Sequence, residues 1–286
     1  MKVAFAGLGV MGFPMAGHLA KAGHDMAVYN RSPEKAQRWV AAHGGRVGAT
    51  AAQAAAGAEV LVLCVGNDDD VRQVVAEALP AMAPGGIVVD HTTTSAVVAR
   101  EMAALAAHDG RAFVDVPVSG GQAGAENGHL TIMCGGEPDA FARVEPVIGA
   151  YAKATRLMGG PGSGQLTKMV NQICIAGVVQ GLAEGLHFAG RAGLDPTAVY
   201  EAISKGAAQS WQMDNRWATM AQGKFDFGFA VDWMRKDLGL LLDESHRNGA
   251  KLDMTAMVDG FYADIQKMGG QRWDTSSLVA RLERPA

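Results

Sequence analysis

The chain has 286 residues, 49% of them hydrophobic and 19% charged, with a formal net charge of −4. This is enough for one large or two ordinary domains with full cores, and the slightly acidic balance argues against nucleic acid as the main partner. No apolar run approaches the ~20 residues of a membrane span, and the chain enters a strand at once without a signal-peptide pattern, so a cytoplasmic protein with no membrane partner is expected. Cys64, Cys134 and Cys174 are odd in number, widely spaced and set in apolar segments. They read as buried small hydrophobes, not as a disulfide framework or a metal site.

At the start of the chain, Val3-Ala4-Phe5 feeds into Gly7-Leu8-Gly9-Val10-Met11-Gly12, then a helical run to Ala22, then a second strand, Asp25–Tyr29. Strand, glycine turn, helix and strand in this order turn a G-x-G-x-x-G pattern into a dinucleotide-binding fingerprint. The first glycine allows the tight turn, the second lets the backbone approach a pyrophosphate, and the third lets helix and strand pack closely. The N–H groups at the helix start face the phosphates.

The second strand ends at Tyr29-Asn30-Arg31-Ser32-Pro33, with no acid where an NAD-specific protein would hold the adenine ribose hydroxyls. An acid there would repel a 2'-phosphate. Arg31 can pair with one through charge-assisted hydrogen bonds, and Asn30 and Ser32 can donate more. The expected cofactor is therefore NADP(H) in preference to NAD(H). Ser32 also suits the N-cap of the next helix, with Pro33 at its first position.

Alternation continues with an Ala-rich helix near Thr50–Ala58, the strand Val60–Val65, a helix from Asn67, and strands at Ile87–Asp90, Ala112–Val116 and Leu130–Cys134. Strands alternating with helices predict a doubly wound, mostly parallel sheet: an α/β Rossmann domain over residues 1–162. The run Asp68-Asp69-Asp70 complements the positive end of the helix beginning there, a better reading than a metal site.

The Gly159-Gly160-Pro161-Gly162-Ser163-Gly164 cluster marks the domain boundary. Residues 163–286 read as an all-α helical domain. Its first helix, about Gln165 to Ala192, is nearly uncharged in its centre and carries Lys168, Asn171 and Gln172 on neighbouring parts of one face. Gly177, Gly181, Gly185, Ala189 and Gly193 form a small-residue row. Interior glycines cost up to ~1 kcal/mol each relative to alanine, so this face is expected to pack closely on another helix, within the chain or across a subunit interface.

Four ordered motifs resemble those of the β-hydroxyacid dehydrogenases, the family of 3-hydroxyisobutyrate dehydrogenase, tartronate semialdehyde reductase and the glyoxylate/succinic semialdehyde reductases. They are Gly7–Gly12 with Pro14-Met15-Ala16; Asp115-Val116-Pro117-Val118-Ser119-Gly120-Gly121 with Gly124-Ala125 and Gly128; Gly164–Gln172; and Lys236-Asp237-Leu238-Gly239-Leu240. The resemblance implies hydride transfer between nicotinamide and a small β-hydroxyacid or its semialdehyde or keto acid. It makes Lys168 the general acid/base, with Asn171 holding the substrate oxygen or the lysine. It also implies that Ser119, Gly120 and Gly121 bind the substrate carboxylate, since a glycine turn presents unobstructed backbone N–H donors. Val65, Thr93, Phe229 and Lys236 match positions beside the cofactor. The Thr cluster around Thr93 suits a helix cap equally well. No metal is expected, and His91, His129 and His187 read as structural or surface residues.

The stretch Gly206–Met213, with Gln209 and Trp211, and His129 before Leu130-Thr131 depart from the family pattern and leave the substrate open among small carboxylates. Arg31 fits the NADPH-using reductive branch. The resemblance further implies that the helical domain at 163–286 serves substrate binding and oligomerisation, as a homodimer or homotetramer. Two other readings differ from this one at Lys168 and the Ser119-Gly120-Gly121 turn. An imine reductase usually has the lysine replaced, and a non-catalytic dinucleotide-binding scaffold would lack both Lys168 and the Ser119-Gly120-Gly121 turn.

Overall fold

The structure, a computed structural model, describes residues 1–283. Its first compact unit is Met1–Lys168, and the second begins at Met169. In the first, β1 (Lys2–Ala6) leads through the glycine turn to α1 (Gly12–Lys21), β2 (Asp25–Tyr29), α2 (Pro33–His43) and the short β3 (Arg46–Val47). There follow α3 (Ala51–Ala55), β4 (Val60–Leu63), α4 (Asp68–Ala78), β5 (Ile87–Asp90), α5 (Ala96–His108) and β6 (Ala112–Asp115). After them come β7 (Val118–Ser119), α6 (Gly121–Asn127), β8 (Leu130–Gly135), α7 (Pro138–Ile148) and β9 (Ala152–Gly159).

The sheet order is β3-β2-β1-β4-β5-β6-β8-β7, with β9 paired to β8. From β3 to β6 every pairing is parallel, whereas β8 runs antiparallel to β6 and β7 and parallel to β9. The doubly wound Rossmann expectation therefore holds. The strand β9 was not visible in the sequence, because Lys153 and Arg156 interrupt its apolar pattern and it pairs along one edge only. Strand β4 stops at Leu63, two residues before Val65.

Parallel strands covered on both faces read as continuous apolar runs, and the core shows why. Alternate residues of β1 serve opposite faces: Val3 and Phe5 pack with Met15, Leu19 and Trp39 of α1 and α2, while Ala4 and Ala6 pack with the helices α3, α4 and α5 through Ala55, Val75 and Val98. Because β2 and β4 flank β1, chain progression reverses there, which opens a ligand crevice beyond the carboxyl ends of these strands.

The long helix α8 (Ser163–Arg191) begins in the first unit and continues into the second, which holds α9 (Pro196–Ile203), α10 (Trp211–Ala221), α11 (Val231–Asn248), α12 (Asp253–Lys267) and α13 (Leu278–Leu282). The helical expectation for the second half holds, apart from one isolated β-bridge between Ala230 and Asp274. Met234, Leu238, Val258, Tyr262, Ile265 and Leu278 are buried in it. Buried Asp274 accepts from the Arg216 guanidinium at 3.0 Å and from the Phe229 N–H at 2.9 Å. Arg235 grips Asp259 through two nitrogens at 3.0 and 2.9 Å.

Two expectations about α8 need correction, and a third is met within the chain only in part. Cys174 is exposed rather than buried, because it lies on the helix face that no described residue covers tightly. Among the described residues the small-residue row packs within the chain at Gly177, where a Cβ would come within 3.0 Å of Met254 of α12, and at buried Ala189, whereas a Cβ on Gly181 or Gly185 would meet nothing within 4 Å. By length and composition α8 does reach what a membrane span requires, with mean hydropathy 1.3 over its best window. Lys168, Asn171, Gln172 and Gln180 break its apolar runs, so no uninterrupted apolar stretch of that length stands in the sequence. Its Gln165, Lys168 and Gln172 side chains are nevertheless buried in protein hydrogen bonds.

Candidate active site

Steric limits shape the glycine turn. Gly7 has φ +99°, and a Cβ there would lie 2.1 Å from the Cys64 carbonyl oxygen; one on Gly12 would lie 1.9 Å from the Gly7 oxygen. Gly9, by contrast, is exposed and has nothing within 4 Å, which leaves room for a ligand to pass over the backbone. Helix α1 has no side-chain cap at Met11, so the N–H groups of Val10, Met11 and Gly12 are placed for an anion. Leu8 is buried, and its N–H donates to Asn30 Oδ1 at 2.8 Å, while Asn30 Nδ2 donates to the Ser32 carbonyl at 3.1 Å. The amide expected to reach a 2'-phosphate thus ties β2 to the glycine turn. Ser32 occupies the N-cap position of α2 without making a side-chain cap bond.

Arg31 projects into solvent, and its Nη1 lies 3.2 Å from Asp70 Oδ1. The other oxygen of Asp70 accepts from the Gly66 N–H at 3.1 Å. The acid run behaves as its helix-start reading implies: α4 opens at Asp68, with Asn67 capping through the Asp70 N–H. Asp68 additionally accepts from the backbone and hydroxyl of Ser95, and Asp69 from Arg72.

Two loops follow the carboxyl ends of β4 and β5. The Val65 N–H donates to Thr92 Oγ1 at 3.0 Å, and the Thr92 N–H donates to Asp90 Oδ1 at 2.9 Å. Ser95, not a threonine, caps α5, so the capping alternative for Thr93 falls away. Thr93 sits between Thr92 and Thr94, both bonded to the buried Gln165 side chain: Gln165 Nε2 donates to the Thr92 carbonyl at 2.7 Å, and the Thr94 N–H donates to Gln165 Oε1 at 3.0 Å.

On the other side of α8's first turn lies the carboxylate-binding candidate. Gly120 and Gly121 have φ +129° and +60° and are exposed; the turn therefore favours glycine and presents bare backbone. Lys168 is only 8% exposed, and its Nζ donates to the Val118 carbonyl at 2.9 Å, adjacent to Ser119. The structure thus brings Lys168 to the Ser119-Gly120-Gly121 turn within the first unit.

Beneath this turn lie buried titratable groups. Asp115 accepts from the Gly162 and Gln165 N–H groups at 2.8 and 2.9 Å, holding the start of α8. Burial raises its carboxyl to about 6 against the pull of those donors, and burial raises Asp90 to about 7. His91 is held neutral, its pKa pushed down to about 4 by burial. Its Nδ1 donates to the Val116 carbonyl at 2.8 Å, and its Nε2 accepts from the Tyr151 hydroxyl at 2.7 Å. His91 is structural, as its sequence context implied.

The second unit carries its own cluster. Asn171 Nδ2 donates to Gln172 Oε1 at 2.9 Å, Gln172 Nε2 donates to Asp237 Oδ2 at 2.7 Å, and Lys236 Nζ lies 3.2 Å from Asp237 Oδ1. Lys236 also sits over the Trp233 ring at 5.8 Å. Asn171 and Lys236 are therefore linked through two buried polar residues, while Phe229 is held separately, by Asp274. The sequence motifs contain Asp115, Gln165 and Asp237, and the acid run contains Asp70, but only the structure shows that these side chains bond to the candidate residues or to their neighbours. The available signal for Asp115 was an acid ending an apolar strand; for Asp237 it was an acid on the apolar side of an amphipathic helix.

Two family models cover the chain. Residues 2–160 match the NAD binding domain of 6-phosphogluconate dehydrogenase, and residues 162–282 match the NAD-binding of NADP-dependent 3-hydroxyisobutyrate dehydrogenase. An oxidoreductase of Shewanella frigidimarina is 63% identical over 99% of this chain and 98% of its own length. The 2-hydroxy-3-oxopropionate reductase of Escherichia coli is 33% identical over 99% and 97%. The solved structure of Mycobacterium tuberculosis 3-hydroxyisobutyrate dehydrogenase with L-serine has a TM-score of 0.91 at 31% identity, covering 99% of both chains.

Proposed function

Because the chain belongs to the β-hydroxyacid dehydrogenase family of nicotinamide-dependent oxidoreductases, we propose that it is an NADP(H)-dependent enzyme interconverting a small β-hydroxyacid and its semialdehyde or keto acid. The observation that carries this reading is the Lys168 amine, buried and held 2.9 Å from the Val118 carbonyl beside the Ser119-Gly120-Gly121 turn.

The residues present fit the cofactor. Gly9 leaves open space, the uncapped start of α1 suits a pyrophosphate, and Arg31 suits a 2'-phosphate. When bound, the nicotinamide supplies or accepts the hydride. The Ser119-Gly120-Gly121 turn binds the substrate carboxylate through backbone N–H groups. In reduction, Lys168 as ammonium polarises the carbonyl and gives its proton to the oxygen as the carbon gains hydride; in oxidation the neutral amine takes that proton back. By family resemblance Asn171 holds the substrate oxygen or the lysine. Val65, Thr93, Phe229 and Lys236 are assigned to the cofactor by family resemblance. We assign no metal, and a second copy of the chain to the open α8 face at Gly181 and Gly185, a homodimer or homotetramer that sedimentation mass would check.

Lys168→Ala should lower turnover by ~10²–10⁴-fold while NADPH still binds; wild-type turnover in this variant would remove the assigned proton carrier. The substrate is to be found by assaying glyoxylate, tartronate semialdehyde, succinic semialdehyde, 3-hydroxyisobutyrate and L-serine in both directions. Lys168 and the adjoining glycine turn favour hydroxyacid chemistry over imine reduction.

A further inference from the structure

We propose that Gln165 is a positioning residue that sets the place of the Lys168 amine relative to the Thr92–Thr94 turn, an inference that rests on the function proposed above. Three hydrogen bonds converge on it. Its Nε2 donates to the Thr92 carbonyl at 2.7 Å, its Oε1 accepts from the Thr94 N–H at 3.0 Å, and its own N–H donates to Asp115 Oδ2 at 2.9 Å. The side chain is completely buried.

The two side-chain bonds bracket Thr93, taking the carbonyl before it and the N–H after it. The turn is joined in the same way to the loop after β4, because Thr92 Oγ1 accepts from the Val65 N–H at 3.0 Å. Gln165 and Lys168 are three residues apart on α8 and so lie on one helix face. A single amide therefore stands between the two loops assigned to the nicotinamide side and the helix turn that carries the proton donor.

Asp115 completes the arrangement from below. Its carboxylate holds the Gly162 and Gln165 N–H groups, and it approaches so closely that a Cβ on Gly164 would lie 2.9 Å from its Oδ2 and 2.4 Å from its carbonyl oxygen. The helix start is thus gripped at its backbone by Asp115 and at its side chain by the threonine turn. Hydride and proton must reach adjacent atoms of one substrate, and a misplacement of about 1 Å can cost ~10²-fold in rate. Glutamine suits the position because it both donates to a carbonyl and accepts from an N–H.

The test uses the full chain with Gln165→Met, which keeps length and removes both bonds, and Gln165→Glu, which keeps the acceptor for Thr94 and loses the donor to Thr92. Expected for Gln165→Met is a fall in kcat of about tenfold or more, following from displaced reacting groups. The carboxylate KM and the NADPH Kd should stay within about twofold, since neither contact set includes Gln165. The primary deuterium isotope effect with 4-deuterated NADPH should rise. Gln165→Glu should fall between, and it carries the same test should the methionine variant not fold.

A readout independent of the substrate is acylation of Lys168 by an N-hydroxysuccinimide ester, read by peptide mass against exposed Lys153 and Lys205. Its relative rate should increase several-fold in the variants. A wild-type chain that turns over none of the carboxylates would remove the proposed function and leave the labelling result to judge Gln165 by itself. Lower melting temperature with unchanged kcat, isotope effect and labelling would show Gln165 to be structural only and overturn the proposal.

Discussion

Arg31 Nη1 lies 3.2 Å from Asp70 Oδ1, and the other oxygen of that carboxylate is held by the Gly66 N–H at 3.1 Å. The cation assigned to the 2'-phosphate is thus already partnered by an anion from the start of α4. An exposed ion pair is worth only ~0.2–1 kcal/mol, so a phosphate can displace it, but Asp70 competes for Arg31 and repels the phosphate charge.

Arg31→Ala should therefore reduce kcat/KM for NADPH about tenfold or more and leave NADH nearly unchanged, as expected for losing charge-assisted hydrogen bonds. Asp70→Asn should lower the NADPH KM by about twofold to fivefold, the scale of an exposed pair, since the amide oxygen still accepts from Gly66. Steady-state kinetics with both cofactors decide the matter, and an unchanged cofactor ratio in Arg31→Ala would remove its role.

The glycine turn separates folding from binding. Gly12→Ala places a Cβ 1.9 Å from the Gly7 oxygen, whereas Gly9→Ala meets nothing within 4 Å. Gly12→Ala is expected to lower the melting temperature by several degrees, the overpacking cost being ~1–3 kcal/mol. Gly9→Ala should melt like the wild type yet bind NADPH more weakly in a fluorescence titration, because the methyl group occupies the space left for the pyrophosphate. Equal affinity would show that the cofactor does not pass over Gly9.

Buried Asp90 predicts a pH dependence of stability. Burial raises its carboxyl from 3.8 to about 7, so between these values the folded chain binds more protons than the unfolded one. Stability therefore falls as pH rises through this window, and the full penalty is present above pH 7. His91, depressed to about 4, acts oppositely, losing stability as pH falls from about 6.5. Comparing Asp90→Asn with wild type at each pH isolates the carboxyl: the variant should be the more stable at pH 8, and its advantage should vanish by pH 4. An advantage independent of pH, measured by thermal melts, would contradict an ionised buried Asp90 at high pH.

Much of this was legible along the chain. The first βαβ unit announced itself because glycine spacing, apolar strands and helix periodicity act over neighbouring residues, and Lys168 with Asn171 stood out as polar groups on an apolar helix. The strand β9 was hidden by its charged residues, and the chain itself leaves the Gly181 face open, because helix spacing says that a surface is smooth, not what covers it.

Local pattern thus determined the fold class, the nucleotide-binding turn and the residue types available for chemistry, since secondary structure and turn geometry depend on side chains a few positions apart. Only the tertiary structure decided that Asn30 would brace the turn at Leu8, that Asp70 would hold Arg31, and that Gln165 would grip Thr94 across 71 residues of chain. Hydrogen bonds between distant segments are directional and short-ranged, so their partners are selected by how the strands and helices pack, and that selection leaves no periodic trace in the order of the amino acids.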